Sequence, residues 1–432
     1  GQNQTTVTNR IGSANYDIGH VFSTGGGGIA GLGVVCTSGQ KARGVTGLGS
    51  PIGDAFDIDY VAHEMGHQFG GNHTFNSTTG SCGGGNRNGG TAYEPGSGIT
   101  IMAYAGICGS NDNLSNHSIA NFHTVSFDEI TDYTTFSNGS VCPTTTSTGN
   151  NAPIAALTTY HYDVPVSTPF KLTGAGSDPD NDTITYSWEE FDLGPAGSWN
   201  VPTGNAPIFM SYVPTTESYR LFPKLVNVLA NTDSKGEKKP SYARTLNFKL
   251  TLRDNRNNGG GVTYDDVPVE VNVVNTTVPF AITYPNVLGI SWPVGSSQTI
   301  TWDVASTTSA PINTQNVNIY LSTTGGTTYP FPILIASNVP NNGSYTFTVP
   351  NNLTTTGRIL VEAEGNIFFD INDKNFTITP AIGISETLSL ESANVVPNPA
   401  HDLAQLILSG PVRGAIELSV YDISGRIVMK DS

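Results

Sequence analysis

Residues 63–73 read HEMGHQFGGNH, and this stretch restricts the fold and chemistry of the chain more than any other. His63 and His67 are four residues apart, so a helix places both imidazoles on one face, within reach of one metal ion. Gly70 allows the helix to end with a positive φ, after which the chain can turn and return His73 to the same ion. Three neutral histidines leave a fourth position open, which is typical of a catalytic zinc site.

Glu64 and a later methionine support this interpretation. Glu64 is next to His63 on the predicted helix, where its carboxylate can take a proton from a water held by the metal. The short pattern HExxH also occurs by chance, on helices with incidental histidines. The longer pattern HExxHxxGxxH is followed by Met102 in the turn-like segment GITIMAYAGICG, and this paired signature predicts a zinc hydrolase.

The segments beside the motif indicate one helix and one strand. DAFDIDYVAHEMGHQF, residues 54–69, predicts a helix with Asp54 or Asp57 in its first turn, where a carboxylate interacts favourably with the helix dipole. IAGLGVVC, residues 29–36, predicts a short strand of small residues. After Gly70 the glycine-rich composition predicts irregular structure as far as the methionine turn.

Length and charge limit the remaining alternatives. The chain has 432 residues, which corresponds to about three domains. Charged residues make up only 12% of it, and its formal net charge is -16. Such a chain repels phosphate, so nucleic acid is not expected as a partner. It contains no run of about eighteen apolar residues, so no transmembrane segment is predicted.

The pattern along the chain predicts a multidomain protein, with an α+β catalytic domain followed by β-sandwich modules. Strand-like alternation marks a first sandwich in TITYSW, TLNFKLTLRDN and VPVEVNVV, and a second in QTITWDV, NVNIYLS and RILVEAEG. TTTSTGNNAP predicts a linker before them. The predicted limits are 1–143 for a partial catalytic domain, 144–153 for the linker, 154–276 and 277–381 for the sandwiches, and 382–432 for a partial C-terminal domain.

Five segments carry a resemblance to a known family: YDIGHVFST, GIAGLGVVC, KARGVTG, AHEMGHQFGGNH and TIMAYAGICG. The chain resembles the metzincin metallopeptidases, and most of all the reprolysin-like (adamalysin-type) branch in its bacterial form. The resemblance covers residues 10–142. It implies a zinc metalloendopeptidase in which His63, His67 and His73 bind zinc, Glu64 is the general base and Met102 forms a hydrophobic floor under the metal.

The sequence differs from that branch in two respects. Tyr104 is two residues after Met102, as in the astacin and serralysin branches. That resemblance implies that Tyr104 stabilises a developing oxyanion; the alternative is a buried core tyrosine. The family also has strands and a helix before the motif helix that we do not find, so the catalytic domain is expected to be N-terminally truncated. The run GIAGLGVVC is expected to edge the cleft and to bind a peptide by strand addition.

The four cysteines allow three disulfide pairings, with four free thiols as the alternative. We expect Cys82–Cys108, which would tie the glycine-rich loop to the methionine turn, and Cys36–Cys142, a kind of bond that the family resemblance supports. Two disulfides are typical of a protein in an oxidising compartment.

Two sets of aspartates are candidates for calcium binding. Asp17 in YDIGH matches a position at which relatives in the family bind calcium. Asp178, Asp180 and Asp182 alternate in SDPDNDT, which resembles the calcium loops of cadherin-like and PKD-like sandwiches. The alternative for this second set is an ordinary acidic turn, in which Asp and Pro favour the geometry.

The C-terminal part suggests where the protein acts. Residues 383–432 resemble the start of a type IX secretion sorting domain of Bacteroidota, in VVPNPAHD and ELSVYDISGRIV. The sandwiches resemble PKD/cadherin-like and fibronectin-like modules. These resemblances imply a protein exported from a Gram-negative bacterium, secreted or at the cell surface, that hydrolyses extracellular proteins. The alternative is a surface adhesin that binds polymers through its β modules and has an inactive metzincin part.

Overall fold

The computed structural model describes residues 1–381, 392–398, 402–409 and 418–431. The chain divides into two units, Gly1–Pro380 and Ala381–Ser432. Among the described residues, none of the helices combines the length and the apolar character needed to cross a bilayer.

The N-terminal region combines helices with a small sheet. Its elements are α1 (Gln2–Ile11), β1 (Val21–Ser23), β2 (Gly27–Ala30), β3 (Gly44–Gly47), α2 (Asp54–Phe56), α3 (His63–Gln68) and α4 (Thr124–Phe136), with short 3-10 turns at Ser13–Asn15, Gly80–Cys82 and Asn138–Ser140. The strand order is β1-β3-β2, in which β1 is parallel and β2 antiparallel to the central β3. β2 therefore lies at an edge of this sheet.

The predicted motif helix is present over its whole length. A π-helical segment, Asp57–Ala62, joins α2 to α3, so residues 54–68 are helical without a break. Single π turns inside helices occur frequently at functional sites. The glycine-rich segment after Gly70 is irregular up to α4, apart from the one 3-10 turn, as its composition predicts.

Two N-terminal predictions were wrong. The sequence did not reveal α1 before the motif helix, because the segment QNQTTVTNRI is polar, buries none of its residues and lacks an apolar stripe. The strand predicted over residues 29–36 ends at Ala30. The following residues form turns, in which the backbone N–H of Val34 donates to the carbonyl of Gln68 (2.9 Å) at the end of α3.

The first sandwich is built on one long buried strand. Its elements are β4 (Ile154–Ala155), β5 (His161–Pro165), β6 (Phe170–Thr173), β7 (Gly176–Ser177), β8 (Thr185–Glu190), β9 (Tyr219–Phe222), α5 (Leu225–Ala230), β10 (Arg244–Arg253), β11 (Val262–Tyr264) and β12 (Val269–Val274). β10 lies in the five-stranded sheet β11-β10-β12-β5, and β8 pairs with it as well. Along β12 buried and half-buried side chains alternate, as the period of a strand requires.

The second sandwich consists of two sheets. Its strands are β13 (Ala281–Tyr284), β14 (Ser291–Pro293), β15 (Ser297–Asp303), β16 (Asn316–Ser322), β17 (Ile333–Pro340), β18 (Ser344–Thr348), β19 (Thr354–Ala363), β20 (Phe369–Ile371) and β21 (Phe376–Thr379). One sheet has the order β13-β15-β18, and the other has the order β14-β21-β19-β16-β17 with β20 beside β19. One continuous apolar cluster contains side chains of both sandwiches, including Phe170, Phe248, Trp292 and Phe368.

The second unit contains two described hairpins. β22 (Ser392–Val396) pairs with β23 (Gln405–Ser409), and β24 (Leu418–Tyr421) pairs with β25 (Ile427–Asp431), both antiparallel. The predicted C-terminal domain also includes residues 382–391, 399–401, 410–417 and 432, which lie outside the described residues.

The first sandwich is hydrogen-bonded directly to the N-terminal region. Buried Glu189 on β8 accepts hydrogen bonds from the backbone N–H (2.9 Å) and the hydroxyl (2.6 Å) of Thr124, at the start of α4. Burial raises the pKa of Glu189, but His123, Arg253 and the Thr124 hydroxyl together outweigh it, so the pKa lies below its ordinary value. A carboxylate thus lies at the N-terminus of α4, where the helix dipole stabilises it.

Candidate active site

α3 and the turn after it bring the three motif histidines together. His63 and His67 lie on one face of α3, with ring centroids 4.8 Å apart. Gly70 has a φ of 99°, and the backbone N–H of Gly71 donates to the carbonyl of Gly66 (2.9 Å), which ends the helix. The chain then returns His73, whose ring centroid lies 5.2 Å from that of His63 and 4.6 Å from that of His67.

Each of these imidazoles is oriented by a backbone carbonyl. Nδ1 of His63 lies 2.7 Å from the Ile101 carbonyl, and Nδ1 of His67 lies 2.7 Å from the Gly71 carbonyl. Nδ1 of His73 lies 2.6 Å from the carbonyl of Asn86. Because a carbonyl oxygen only accepts, each Nδ1 carries the proton and each Nε2 keeps its lone pair.

The donor set fits a zinc ion. The ligand nitrogens of His63, His67 and His73 lie within 4.8 Å of one another. The Nε2 atoms of His67 and His73 are 3.1 Å apart. Two lone pairs at this distance repel each other unless a cation lies between them. Tetrahedral zinc with Zn–N bonds of about 2.0–2.1 Å separates its ligand nitrogens by roughly 3.3 Å.

Burial keeps all three histidines neutral, as metal ligation requires. Desolvation, followed by the charges of His67 and His73, holds the pKa of His63 well below its ordinary value. Desolvation also lowers the pKa of His67. Desolvation and His67 lower the pKa of His73 to about 4, although the hydrogen bond to Asn86 opposes this. The site therefore presents three neutral imidazoles at neutral pH.

Glu64 has an unsatisfied carboxylate beside the histidines. The residue is 8% exposed, and its Oε2 atom is buried without a hydrogen-bond partner among the described residues. Desolvation raises the pKa of Glu64 to about 7. The edge strand β2 passes directly over it, since a Cβ built on Gly28 would lie 2.7 Å from Cδ of Glu64. A carboxyl group of this kind can take up and release a proton near neutral pH.

Met102 and Tyr104 line the site from the methionine turn. Met102 is fully buried and its Sδ atom lies against Gly66, between the two helical histidines. The ring of Tyr104 lies 4.5 Å from that of His73 and stacks on buried Phe75 (4.7 Å). Desolvation and then the charge of Glu64 raise the pKa of Tyr104. Tyr104 also borders both cavities of the cleft, so it is not enclosed in the core.

A second set of contacts, which the sequence analysis missed, holds the His73 loop in place. Glu129 on α4 accepts hydrogen bonds from the backbone N–H (2.7 Å) and the side-chain amide (2.6 Å) of Asn72. Arg87, next to the carbonyl that orients His73, donates to Oδ1 of Asn76 (2.8 Å) and to the carbonyl of Gly194 in the first sandwich (3.1 Å). These partners are distant in sequence, and no motif spacing connects them.

Both expected disulfides are present. Cys36 is bonded to Cys142, and Cys82 is bonded to Cys108. Cys82 and Cys108 are buried with Phe75 in a small apolar cluster, against which Tyr104 packs. The second disulfide thus supports the wall of the cleft.

The aspartates predicted to bind calcium lie in two other places. Asp178, Asp180 and Asp182 form a group in the first sandwich with their carboxylate oxygens within 4.8 Å of one another. Asp178 accepts hydrogen bonds from the backbone N–H groups of Asp180 (2.8 Å) and Asp182 (3.0 Å), as in an acidic turn. Asp17 is grouped with the sulfurs of Cys36 and Cys142, which are joined in a disulfide, so this group offers calcium one carboxylate. Calcium binding stays a prediction.

Two cavities meet at Glu64. One has a volume of about 260 Å³ and extends past His63 toward Asp59 and the segment 116–118. The other, of about 730 Å³, extends past His67 and His73 toward Arg87. Gly28 and Tyr104 border both. The histidines and Glu64 therefore lie where the two cavities of the cleft adjoin.

Two family models match parts of the chain. Residues 1–127 match a model described as metallo-peptidase family M12B, reprolysin-like. Residues 288–368 match a model described as the Kre9/KNH-like N-terminal Ig-like domain. No curated protein matches the chain significantly.

Several solved structures match about half of the chain. The fibronectin(III)-like modules of Clostridium thermocellum CbhA are 7% identical, with 53% of this chain and 95% of that chain covered and a TM-score of 0.17. The Ig1-2 module of the Drosophila receptor protein tyrosine phosphatase DLAR is 11% identical, with 54% and 100% covered and a TM-score of 0.26. At these TM-scores the two structures carry no argument about this chain.

The sheet topology and the two family matches together indicate how the chain is organised. Strands β4–β21 form two sandwiches, and the second contains the segment that matches an Ig-like model. The three-histidine site lies within the segment that matches the metallopeptidase model. The N-terminal segment is thus similar to reprolysin-like M12B metallopeptidases, and it is followed by β-sandwiches, the second of which is similar to an Ig-like domain.

Proposed function

We propose that this protein is a secreted zinc-dependent endopeptidase that hydrolyses extracellular proteins, with Glu64 as the general base. One observation carries the proposal: three imidazoles, each held by a carbonyl at Nδ1, direct free lone pairs to one point beside an unpaired carboxylate oxygen. His63, His67 and His73 would hold the metal. A closed structural site would need a fourth protein ligand, whereas this set leaves a position for water or substrate.

Different residues of the site would carry out different steps of hydrolysis. Zinc, when bound, supplies a Lewis acid that polarises the scissile carbonyl and makes a water more acidic. Glu64 takes the proton of the attacking water at Oε2 and delivers it to the leaving amine, which its pKa of about 7 allows. Tyr104 borders the same space, and its hydroxyl would donate to the developing oxyanion.

The edge strand β2 would bind the substrate backbone. β2 lies at the open edge of its sheet, so one row of its N–H and C=O groups is available for an added strand. Gly28 brings the backbone close to Glu64, and a larger residue would overlap the carboxylate. Ile29 is 72% exposed on this strand, where an extended peptide would cover it. A peptide paired with β2 would cross above the three histidines.

The disulfides and the C-terminal part support a location and an accessory role. Two disulfides favour an oxidising compartment, which agrees with export of the protein. The sorting-domain resemblance supports type IX export from a Gram-negative bacterium. The domain limits that we propose are 1–143, 154–276, 277–381 and 382–432. Calcium at Asp178, Asp180 and Asp182 would stiffen the loop beside the linker, whose Asn151 donates to Asp180.

Metal analysis combined with a digestion assay tests the proposal. We expect one zinc per chain and cleavage of casein that is lost in Glu64→Ala while the circular dichroism spectrum is unchanged. Asp57→Asn, an exposed acid on the same helical stretch, is the matched control and should retain cleavage. Binding of protein or glycan polymers without turnover by the zinc-loaded wild type would contradict the proposal and favour an adhesin.

A further inference from the structure

The smaller cavity of the cleft, which we call the Asp59 cavity, has the form of a side-chain pocket. It has a volume of about 260 Å³ and begins at Glu64 and His63, so a side chain next to the reacting bond can enter it. Its walls include the apolar side chains of Leu48, Ala55 and Ile107. Apolar walls of this kind suit the hydrocarbon part of a long side chain.

Asp59, which carries a carboxylate, also lines this cavity. Asp59 is in the π-helical segment, four residues before His63, and its side chain is 15% exposed. Its Oδ1 accepts a hydrogen bond from the backbone N–H of Ser118 (2.7 Å), and its Oδ2 lies 2.7 Å from Nδ1 of His117, which donates to it. These bonds fix the orientation of the carboxylate. Each oxygen can accept a second hydrogen bond, so the carboxylate retains acceptor capacity.

The two cavities differ in their charged lining residues. Among the described residues that line the Asp59 cavity there is no Lys or Arg, and the acids there are Asp59 and Glu64. The larger cavity on the other side of the histidines shares Glu64 and is bordered by Arg87 as well. A cationic side chain is therefore favoured more in the Asp59 cavity than beside Arg87. Charge complementarity in a partly enclosed site gives selectivity between substrates.

From this geometry we propose that Asp59 is a specificity-determining residue that selects substrates with a Lys or Arg side chain in the Asp59 cavity, on one flank of the cleaved bond. The stem of that side chain packs between Leu48 and Ile107, and its ammonium or guanidinium group donates to the carboxylate of Asp59. This inference rests on the proposed endopeptidase function. It names the substrate class of the same site, namely basic segments of proteins.

Asp59 also has a structural contact, and the experiment separates the two roles. If Asp59 only anchors the segment 116–118, its substitution changes the cleavage of all peptides by a similar factor. If it binds a cation, the substitution changes the ratio of kcat/KM for a lysine peptide to that for an otherwise identical norleucine peptide. Norleucine keeps the stem and removes the charge, so this ratio reports the contact with Asp59.

Cleavage sites in a peptide library are mapped first, and the lysine-to-norleucine ratio is then measured for zinc-loaded wild type, Asp59→Asn, His117→Gln and Asp57→Asn. We expect Lys or Arg to be enriched on one flank of the cleaved bond. Asp59→Asn should lower the ratio by about tenfold or more, as expected for the loss of a charge-assisted hydrogen bond. Asp57→Asn should retain it, and His117→Gln, which changes a hydrogen-bond partner of the carboxylate, should lower it less than Asp59→Asn. A library without basic enrichment, or an unchanged ratio in Asp59→Asn, would overturn the inference.

A binding measurement makes the inference independent of turnover. The same two peptides are titrated against the Glu64→Gln protein by calorimetry, with and without Asp59→Asn. Tighter binding of the lysine peptide that disappears in the double variant supports the role of Asp59, even where no peptide is cleaved and the proposed hydrolysis has failed. Equal binding of both peptides to Glu64→Gln would overturn it while leaving hydrolysis intact.

Discussion

Replacing Glu64 with Gln should stabilise the metal-free protein while abolishing hydrolysis. Burial raises the pKa of Glu64 from 4.5 to about 7. The folded state thus binds this proton more tightly than the unfolded state. The stabilisation that this proton gives is complete below about pH 4.5 and is lost as the pH rises through 7. At about 1.4 kcal/mol per pKa unit the loss approaches roughly 3 kcal/mol, which solvent in the cleft reduces to about 2 kcal/mol.

Thermal unfolding of the chelator-treated proteins measures this effect. Near pH 8, Glu64→Gln should unfold several degrees above the wild type, since the amide does not ionise. Near pH 5, the two proteins should differ by well under about 1 kcal/mol, because the wild-type carboxyl is mostly protonated there. Asp57→Asn, which removes an exposed charge from the same helical stretch, should show no such rise. A variant less stable than the wild type near pH 8 would refute the reasoning.

Two further perturbations test the cleft and its support. Gly28→Ala should reduce kcat/KM by at least about tenfold, because its Cβ would overlap the carboxylate of Glu64. Gly26 has open space around it, so Gly26→Ala should leave kcat/KM unchanged. Equal kcat/KM values for the two variants would contradict the close approach of β2 to Glu64. Glu189→Gln should lower the free energy of unfolding by about 1–3 kcal/mol near pH 7, since it removes a charge from the N-terminus of α4. This difference should shrink as the pH falls below the ordinary value of 4.5 and through the lowered pKa of Glu189. A difference that persists in urea titrations at acid pH would contradict the assignment.

The part of the site that local spacing determines was predicted from the sequence. His63 and His67 share a helix face because they are four residues apart, and Gly70 ends the helix with the positive φ that returns His73. The strands of both sandwiches follow segments with a period of two, such as NVNIYLS for β16. The two disulfides also pair as expected.

The parts that depend on tertiary contacts were not predictable in this way. The carbonyls of Ile101 and Asn86 orient His63 and His73, but a backbone atom leaves no signature in the residue types. Asn72 and Glu129 are 57 residues apart, and the sequence alone gave no reason to pair them. One signal was present: Asp59 precedes His63 by one helical spacing of four, which places its carboxylate on the side of the metal ligands.

The packing of the first sandwich on the N-terminal region was also hidden from the sequence. A linker-like segment at 144–153 suggests separate modules, yet Glu189 contacts α4 and Gly194 contacts Arg87. These contacts lead to the His73 loop through Glu129 and Asn86 respectively. The first sandwich therefore contacts the elements that hold the His73 loop in place.

Zinc-edge X-ray absorption on the purified full chain tests the central claim most directly. We predict one tightly held zinc with three imidazole nitrogens at about 2.0–2.1 Å and one further light-atom ligand, and loss of an imidazole from the spectrum in His73→Ala. A zinc-free protein after dialysis against zinc, or a spectrum of bound zinc that His73→Ala leaves unchanged, would contradict the account.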